Sequence, residues 1–130
     1  MIGRRKKKEP AILRKKRGQG RGLPTINISK NFSKTPGGRF RTDGPFSGEE
    51  FREKFLEPHF VDSNDQSKVV IIFDGAEGYG TSFLEEAFGE LARKFGVQRC
   101  VEKLEFVSKG DNLLIQEVNN YISSAMERKY

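Results

Sequence analysis

Val69-Val70-Ile71-Ile72-Phe73 is an unbroken apolar run whose first four residues are β-branched, bounded by Lys68 and Asp74. β-Branched side chains lose rotamer freedom in a helix and pack well on a pleated surface, so the run reads as a strand. Lacking polar alternation, it belongs at the centre of a sheet with both faces covered, the usual setting of a parallel strand. Thr25-Ile26-Asn27-Ile28-Ser29 alternates as a half-buried strand does, and Leu104 to Val107 reads as a third strand. Arg39-Phe40-Arg41, after the turn cluster Ser33 to Gly38, reads as a short returning strand.

Helix signals fill the intervals. Ser47-Gly48-Glu49-Glu50 has the form of a capping box, with Phe51, Phe55 and Leu56 following at helical spacing and Pro58 ending the helix near Glu57. Ser82-Phe83-Leu84-Glu85 repeats the box and opens a helix with Leu84, Ala87, Phe88, Leu91 and Phe95 on one face. Gly96 is placed to stop it in a left-handed turn. Asp111 or Asn112 then caps a last helix carrying Leu114, Val118, Tyr121, Ile122 and Ala125 on one side. The alternation predicts an α/β domain over residues 25–130 with a mostly parallel sheet of about three to five strands.

Charge divides the 130-residue chain unevenly. Residues 1–23 hold ten bases against Glu9, a balance of +9, out of a total of +6; the other 107 residues, with 14 bases and 17 acids, carry −3. Residues 1–24 also hold Gly18, Gly20, Gly22, Pro10 and Pro24 and show no hydrophobic period, so they read as a basic arm of the disordered type. Two blocks, Arg4-Arg5-Lys6-Lys7-Lys8 and Arg14-Lys15-Lys16-Arg17, with Arg21 beyond them, suit the neutralisation of phosphates without readout of bases. No aromatic residue lies among them, so base stacking is not indicated.

Several functional classes are excluded. One cysteine, Cys100, and one histidine, His59, supply neither a disulfide framework nor a zinc-type metal site, and no Ser-His-Asp triad is apparent. No stretch reaches the ~20 apolar residues of a membrane span, and no signal-peptide core follows the basic start. The expectation is a cytoplasmic protein without metal or cofactor.

The loop Asp74 to Gly80 joins the apolar strand to a helix start, a common place for a phosphate. Gly75 and Gly80 have the spacing of a phosphate-binding loop, but Thr81 stands where that loop needs lysine, and Asp74, Glu77, Glu85 and Glu86 surround it with negative charge. Asp74 and Glu77 form a carboxylate pair with neither nucleophile nor metal beside it, so no catalysis is expected. Thr81 and Ser82 are the informative residues: a hydroxyl there serves as a helix cap, as a phosphorylation switch, or as both. Arg39, Arg41 and Arg52 with Lys34 read either as solvated side chains or as a docking surface.

Three segments carry a family resemblance: Asn31 to Phe40, Asp43 to Arg52, and Gly78 to Gly89. Together they resemble the STAS-like family of bacterial proteins labelled DUF4325, over about Thr25 to Met126. The resemblance implies a fold akin to the sulfate-transporter and anti-sigma-factor-antagonist domains. It implies a protein partner such as a GHKL-type ATPase or serine kinase, and a switch serine opening the helix after a central strand. By position that switch falls on Thr81 or Ser82, with Gly80 standing where the antagonists have aspartate and Phe83 where they have glycine. Tyr79, Phe83, Glu85 and Glu86 are then the expected docking residues. The reading is a non-catalytic, STAS-like interaction domain with a nucleic-acid-binding arm. The alternative is a structural component of a nucleic-acid assembly, in which the arm contacts phosphates and the domain is a scaffold.

Overall fold

The computed structural model describes residues 23–125; the basic arm of the sequence reading lies outside them, apart from its last two residues. Three strands, β1 (Thr25–Asn27), β2 (Val69–Ile72) and β3 (Leu104–Val107), form one parallel sheet in the order β1-β2-β3. Four helical runs accompany them. Helix α1 spans 48–56, α2 spans 81–95, α3 is Val97–Lys103 and α4 is Asn112–Ser124. The mixed α/β class and the parallel sheet agree with the sequence reading.

The strand order explains the layering. With neighbouring strands following in sequence, right-handed crossovers bring successive connecting helices to the same face. The register aligns Ile26, Ile71 and Phe106 across the sheet, with Val69 and Leu104 beside them. All but half-buried Phe106 are buried, and they join Phe51, Phe83, Leu84, Phe88, Leu91, Val118 and Ile122 in one apolar cluster. The opposite face carries Val70, Ile72 and Val107, each half-buried, beside exposed Thr25 and Glu105. The expectation that β2 is covered on both faces is therefore corrected: it is fully covered on one.

Local chemistry accounts for the other departures. β1 stops at Asn27 because its side chain accepts from Lys30 N–H at 3.2 Å, turning residues Ile28–Phe32 into a single wide helical turn. Arg39-Phe40-Arg41 is no strand: Phe40 N–H donates to Asp43 Oδ2 at 2.8 Å and Arg41 N–H to Glu49 Oε1 at 2.9 Å, so carboxylates take the donors that a ladder needs. Gly96 ends α2 with φ +104°, but its ψ of 140° is extended, and its carbonyl accepts from Cys100 N–H at the start of α3, a helix that the sequence reading left out. Ser47 caps α1 as expected, accepting from Glu50 N–H at 3.0 Å; the Glu50 carboxylate reaches Phe46 N–H rather than Ser47 N–H.

Candidate interaction site

The three motif segments meet at the crossing of α1 and α2. Gly48, at the start of α1, lies so close to α2 that a Cβ there would stand 2.5 Å from the Phe83 carbonyl oxygen. Below this approach, Phe51 packs against Phe55, Phe83 and Phe88, and Phe32 packs against Phe46 and Phe83. Both helices widen beside it. Residues Arg52–Leu56 and Glu85–Gly89 are π-wound, with Glu57 N–H donating to the Arg52 carbonyl and Glu90 N–H to the Glu85 carbonyl. Such π-turns are frequent at functional positions.

An ion-pair network spans the crossing. Arg52, its side chain only 6% exposed, donates to Glu86 Oε2 at 2.6 Å, to the Glu86 carbonyl at 2.9 Å and to Glu57 Oε2 at 2.8 Å. Glu85 receives Arg39 at 2.7 Å and Arg93 at 2.8 Å, and Arg39 also reaches Glu86 at 3.4 Å. Burial opposes the Glu85 charge, but the two guanidiniums prevail and hold its carboxyl below the ordinary range. Gly89 makes room for this: a Cβ there would stand 2.7 Å from Glu85 Oε2. Arg39 pins the loop 33–46 to α2 through these contacts.

The structure sorts the expected docking residues. Phe83 has no exposed surface and Glu86 is buried, so the view of both as docking groups is corrected: one is core, the other the acid that neutralises Arg52. Glu85 keeps 16% of its side chain exposed, and Tyr79 is half-buried, its hydroxyl donating to the Phe73 carbonyl at 2.7 Å. Burial, with Asp74 nearby, pushes the Tyr79 phenol well above its ordinary value. The basic surface imagined for Lys34, Arg39, Arg41 and Arg52 is also corrected, because Arg39, Arg41 and Arg52 are all paired with glutamates.

Thr81 and Ser82 sit exposed in the first turn of α2. Neither caps it. Gly80, with φ −73° and ψ 152°, is the N-cap and no side chain accepts there, which corrects the second capping box: Glu85 is drawn to Arg39 and Arg93 instead of back to Ser82. The Thr81 hydroxyl lies against Tyr121 of α4, whose phenol donates to Glu117 at 2.7 Å and is raised by burial and that glutamate.

The Phe46 ring meets Phe32 edge-on at 5.5 Å. Its backbone carries more information. With φ +60° it is the sole non-glycine residue with positive φ among the described residues, a conformation costing about 1–2 kcal/mol for an L-residue. Two hydrogen bonds enforce it, Gly37 N–H to the Phe46 carbonyl and Phe46 N–H to Glu50, while the residue stays 39% exposed, as Phe40 on the same loop is 44% exposed. Strain of this kind gathers at functional surfaces. No sequence pattern announces it, because the conformation depends on the close approach of Gly37, where a Cβ would stand 2.4 Å from the Pro45 oxygen.

Cys100 is buried, its thiol pushed up to about 12 by desolvation, and takes no part in this surface. No helix of the described residues is long and apolar enough to cross a membrane, and no group of described His, Cys, Asp and Glu residues could hold a metal.

A parallel three-stranded sheet, with the loop 73–80 leading from its central strand to the helix that opens at Thr81, agrees with a STAS-like domain. The chain belongs to the family of the STAS-like domain of unknown function (DUF4325), whose model matches residues 47–113. No curated protein and no solved structure matches it.

Proposed function

We propose that this chain is a non-catalytic interaction domain that docks a protein partner on the first turn of α2 and its adjoining loop, while its basic arm contacts nucleic acid. The observation that carries the docking surface is the standing of Thr81 and Ser82: two exposed residues whose side chains do not cap the helix, because Gly80 is its N-cap. Beneath them Phe83 and Glu86 are locked in the core and the ion-pair network, so the surface is held rigid before any partner arrives. Phe40 and Phe46 supply exposed aromatic area on the adjoining loop. Likeness to anti-sigma-factor antagonists supplies the partner class, a GHKL-type ATPase or serine kinase.

Phosphorylation fits the same turn as an off-signal. It adds about two negative charges, and on Thr81 they would stand beside Tyr121 within the field of Glu117 and Glu85. A second reading rests on the +9 of residues 1–23: a nucleic-acid assembly in which the arm contacts phosphates and the domain is a scaffold. Affinity capture with the full chain, with and without nuclease, separates the two. Partner capture that survives nuclease and is lost in Thr81→Glu or Ser82→Glu, at unchanged Tm, supports docking on this turn. Equal capture by the wild type and both variants counts against it, and loss of all capture with nuclease favours the scaffold.

A further inference from the structure

Outside the carboxyl ends of β2 and β3, away from the α1–α2 crossing, lies a cavity of about 330 Å³ between the turn 73–79 and the turn 108–111, with the first turns of α4 as its third wall. Four carboxylates line it, Asp74, Glu77, Asp111 and Glu117, and no lysine or arginine does. A second observation is independent of that charge. Ser108 also lines the cavity, is 7% exposed, and its hydroxyl has no hydrogen-bond partner among the described residues. Buried hydroxyls without a partner are uncommon, and one facing a cavity marks a place for a ligand atom.

The wall chemistry selects the ligand. Asp74 is fixed by the N–H groups of Lys109 and Gly110 at 3.0–3.1 Å, Asp111 Oδ1 accepts from Leu113 and Leu114 N–H, and Glu117 Oε2 accepts from Tyr121. These contacts orient the carboxylates, the Lys109 charge also acts on Asp74, and each ionised carboxylate offers about four lone-pair sites. Phosphates and other anions are repelled. The carboxylates do not converge as metal ligands do. Phe73, the Tyr79 ring and Leu114 supply apolar wall for a carbon chain.

We propose that this cavity binds an alkyl cation, an ammonium or guanidinium group on an aliphatic stem, with the carboxylates and Ser108 receiving its donors. Two sources share that chemistry: a free diamine or polyamine, and a lysine or arginine side chain of the chain's own arm. Twenty-two residues precede Leu23, and at roughly 3.3 Å per residue their greatest extension is about 70 Å, against a radius of gyration of about 13 Å for a 100-residue domain.

The test uses the full, ¹⁵N-labelled chain, titrated with agmatine, which carries a guanidinium and an ammonium on one butyl stem. Saturable shifts of the Gly75, Gly78 and Gly110 amides, about tenfold weaker in binding after Glu77→Gln with Glu117→Gln and weakened also by Ser108→Ala, support the site with a free cation as its ligand. If agmatine moves nothing in the wild type, the same amides are followed in the full chain carrying Arg14→Gln, Lys15→Gln, Lys16→Gln and Arg17→Gln. Shifts caused by those four changes, with agmatine binding restored, support the site with the arm as its occupant. No response in either protein, a response that sodium chloride reproduces, or one that the carboxylate variant leaves unaltered overturns the proposal.

Discussion

Gly48 shows how one missing atom shapes the interaction surface. Alanine exceeds glycine in helix propensity by about 1 kcal/mol, so Gly48→Ala in isolation favours α1. Here the added Cβ meets the backbone carbonyl of Phe83 at 2.5 Å, and a backbone atom in the middle of a packed crossing cannot swing aside. Overpacking of this kind costs about 1–3 kcal/mol, so the clash should win and Gly48→Ala should lower the midpoint of urea denaturation. A higher midpoint would mean that the helices separate freely and that the crossing is not rigid. His59 makes a different demand. Burial first, and the Lys103 ammonium second, hold its imidazole below the ordinary 6.5, with Asp65 opposing them. The unfolded chain therefore binds the proton more readily than the native one. Stability should be flat above about pH 6.5 and decline as pH falls toward 5, before carboxylates of ordinary pKa begin to titrate. Denaturation midpoints at several pH values check this, and His59→Gln should flatten the decline.

At the scale of elements, legibility followed sequence distance. β2 was readable because five apolar residues in a row admit few alternatives, and α4 because Asp111 does cap it, accepting from Leu113 and Leu114 N–H. Helix α3 went unread although Val97, Cys100 and Val101 have helical spacing, because Gly96 looked like a terminus rather than a joint. The α1–α2 crossing was invisible: Arg39 and Glu85 are 46 residues apart, Arg52 and Glu86 are 34 apart, and no local pattern joins them. The same contacts defeated the second capping box, since Glu85 found stronger partners across the crossing than the amide behind it. Helix α2 is nonetheless where the reading of the core was most specific. Phe88 is fully buried with its ring 5.5 Å from Phe106 and 5.8 Å from Phe73, seating the helix on the sheet. Phe88→Ala should cost about 3–5 kcal/mol, read as a lower Tm by circular dichroism. An unchanged Tm would remove Phe88 as the contact between these layers.

For the whole molecule, charge arithmetic makes the strongest demand. A chain of +6 divides into a segment of +9 and a remainder of −3, so truncation after residue 23 turns electrostatic attraction for a polyanion into weak repulsion. The domain's own arginines do not compensate, because Arg39, Arg52 and Arg93 are spent on Glu85, Glu86, Glu57 and Glu90 inside the fold. If six of the ten arm bases reach phosphates, log K should fall against log salt with a slope of about −5 on duplex DNA. Sequence preference should be slight, since phosphate contacts carry no base information. Fluorescence anisotropy of both chains at several salt concentrations measures this directly. The truncated chain should bind almost nothing and show almost no slope. Its Tm should barely change, because among the described residues the apolar cluster runs from Ile26 to Ala125 and closes around the sheet. Full affinity after truncation would place the contacts on the domain, where Lys34 and the paired Arg41 are the exposed bases of the loop 33–46. Absence of binding by either chain would assign the arm's charge to an acidic protein, or to the carboxylates around Ser108.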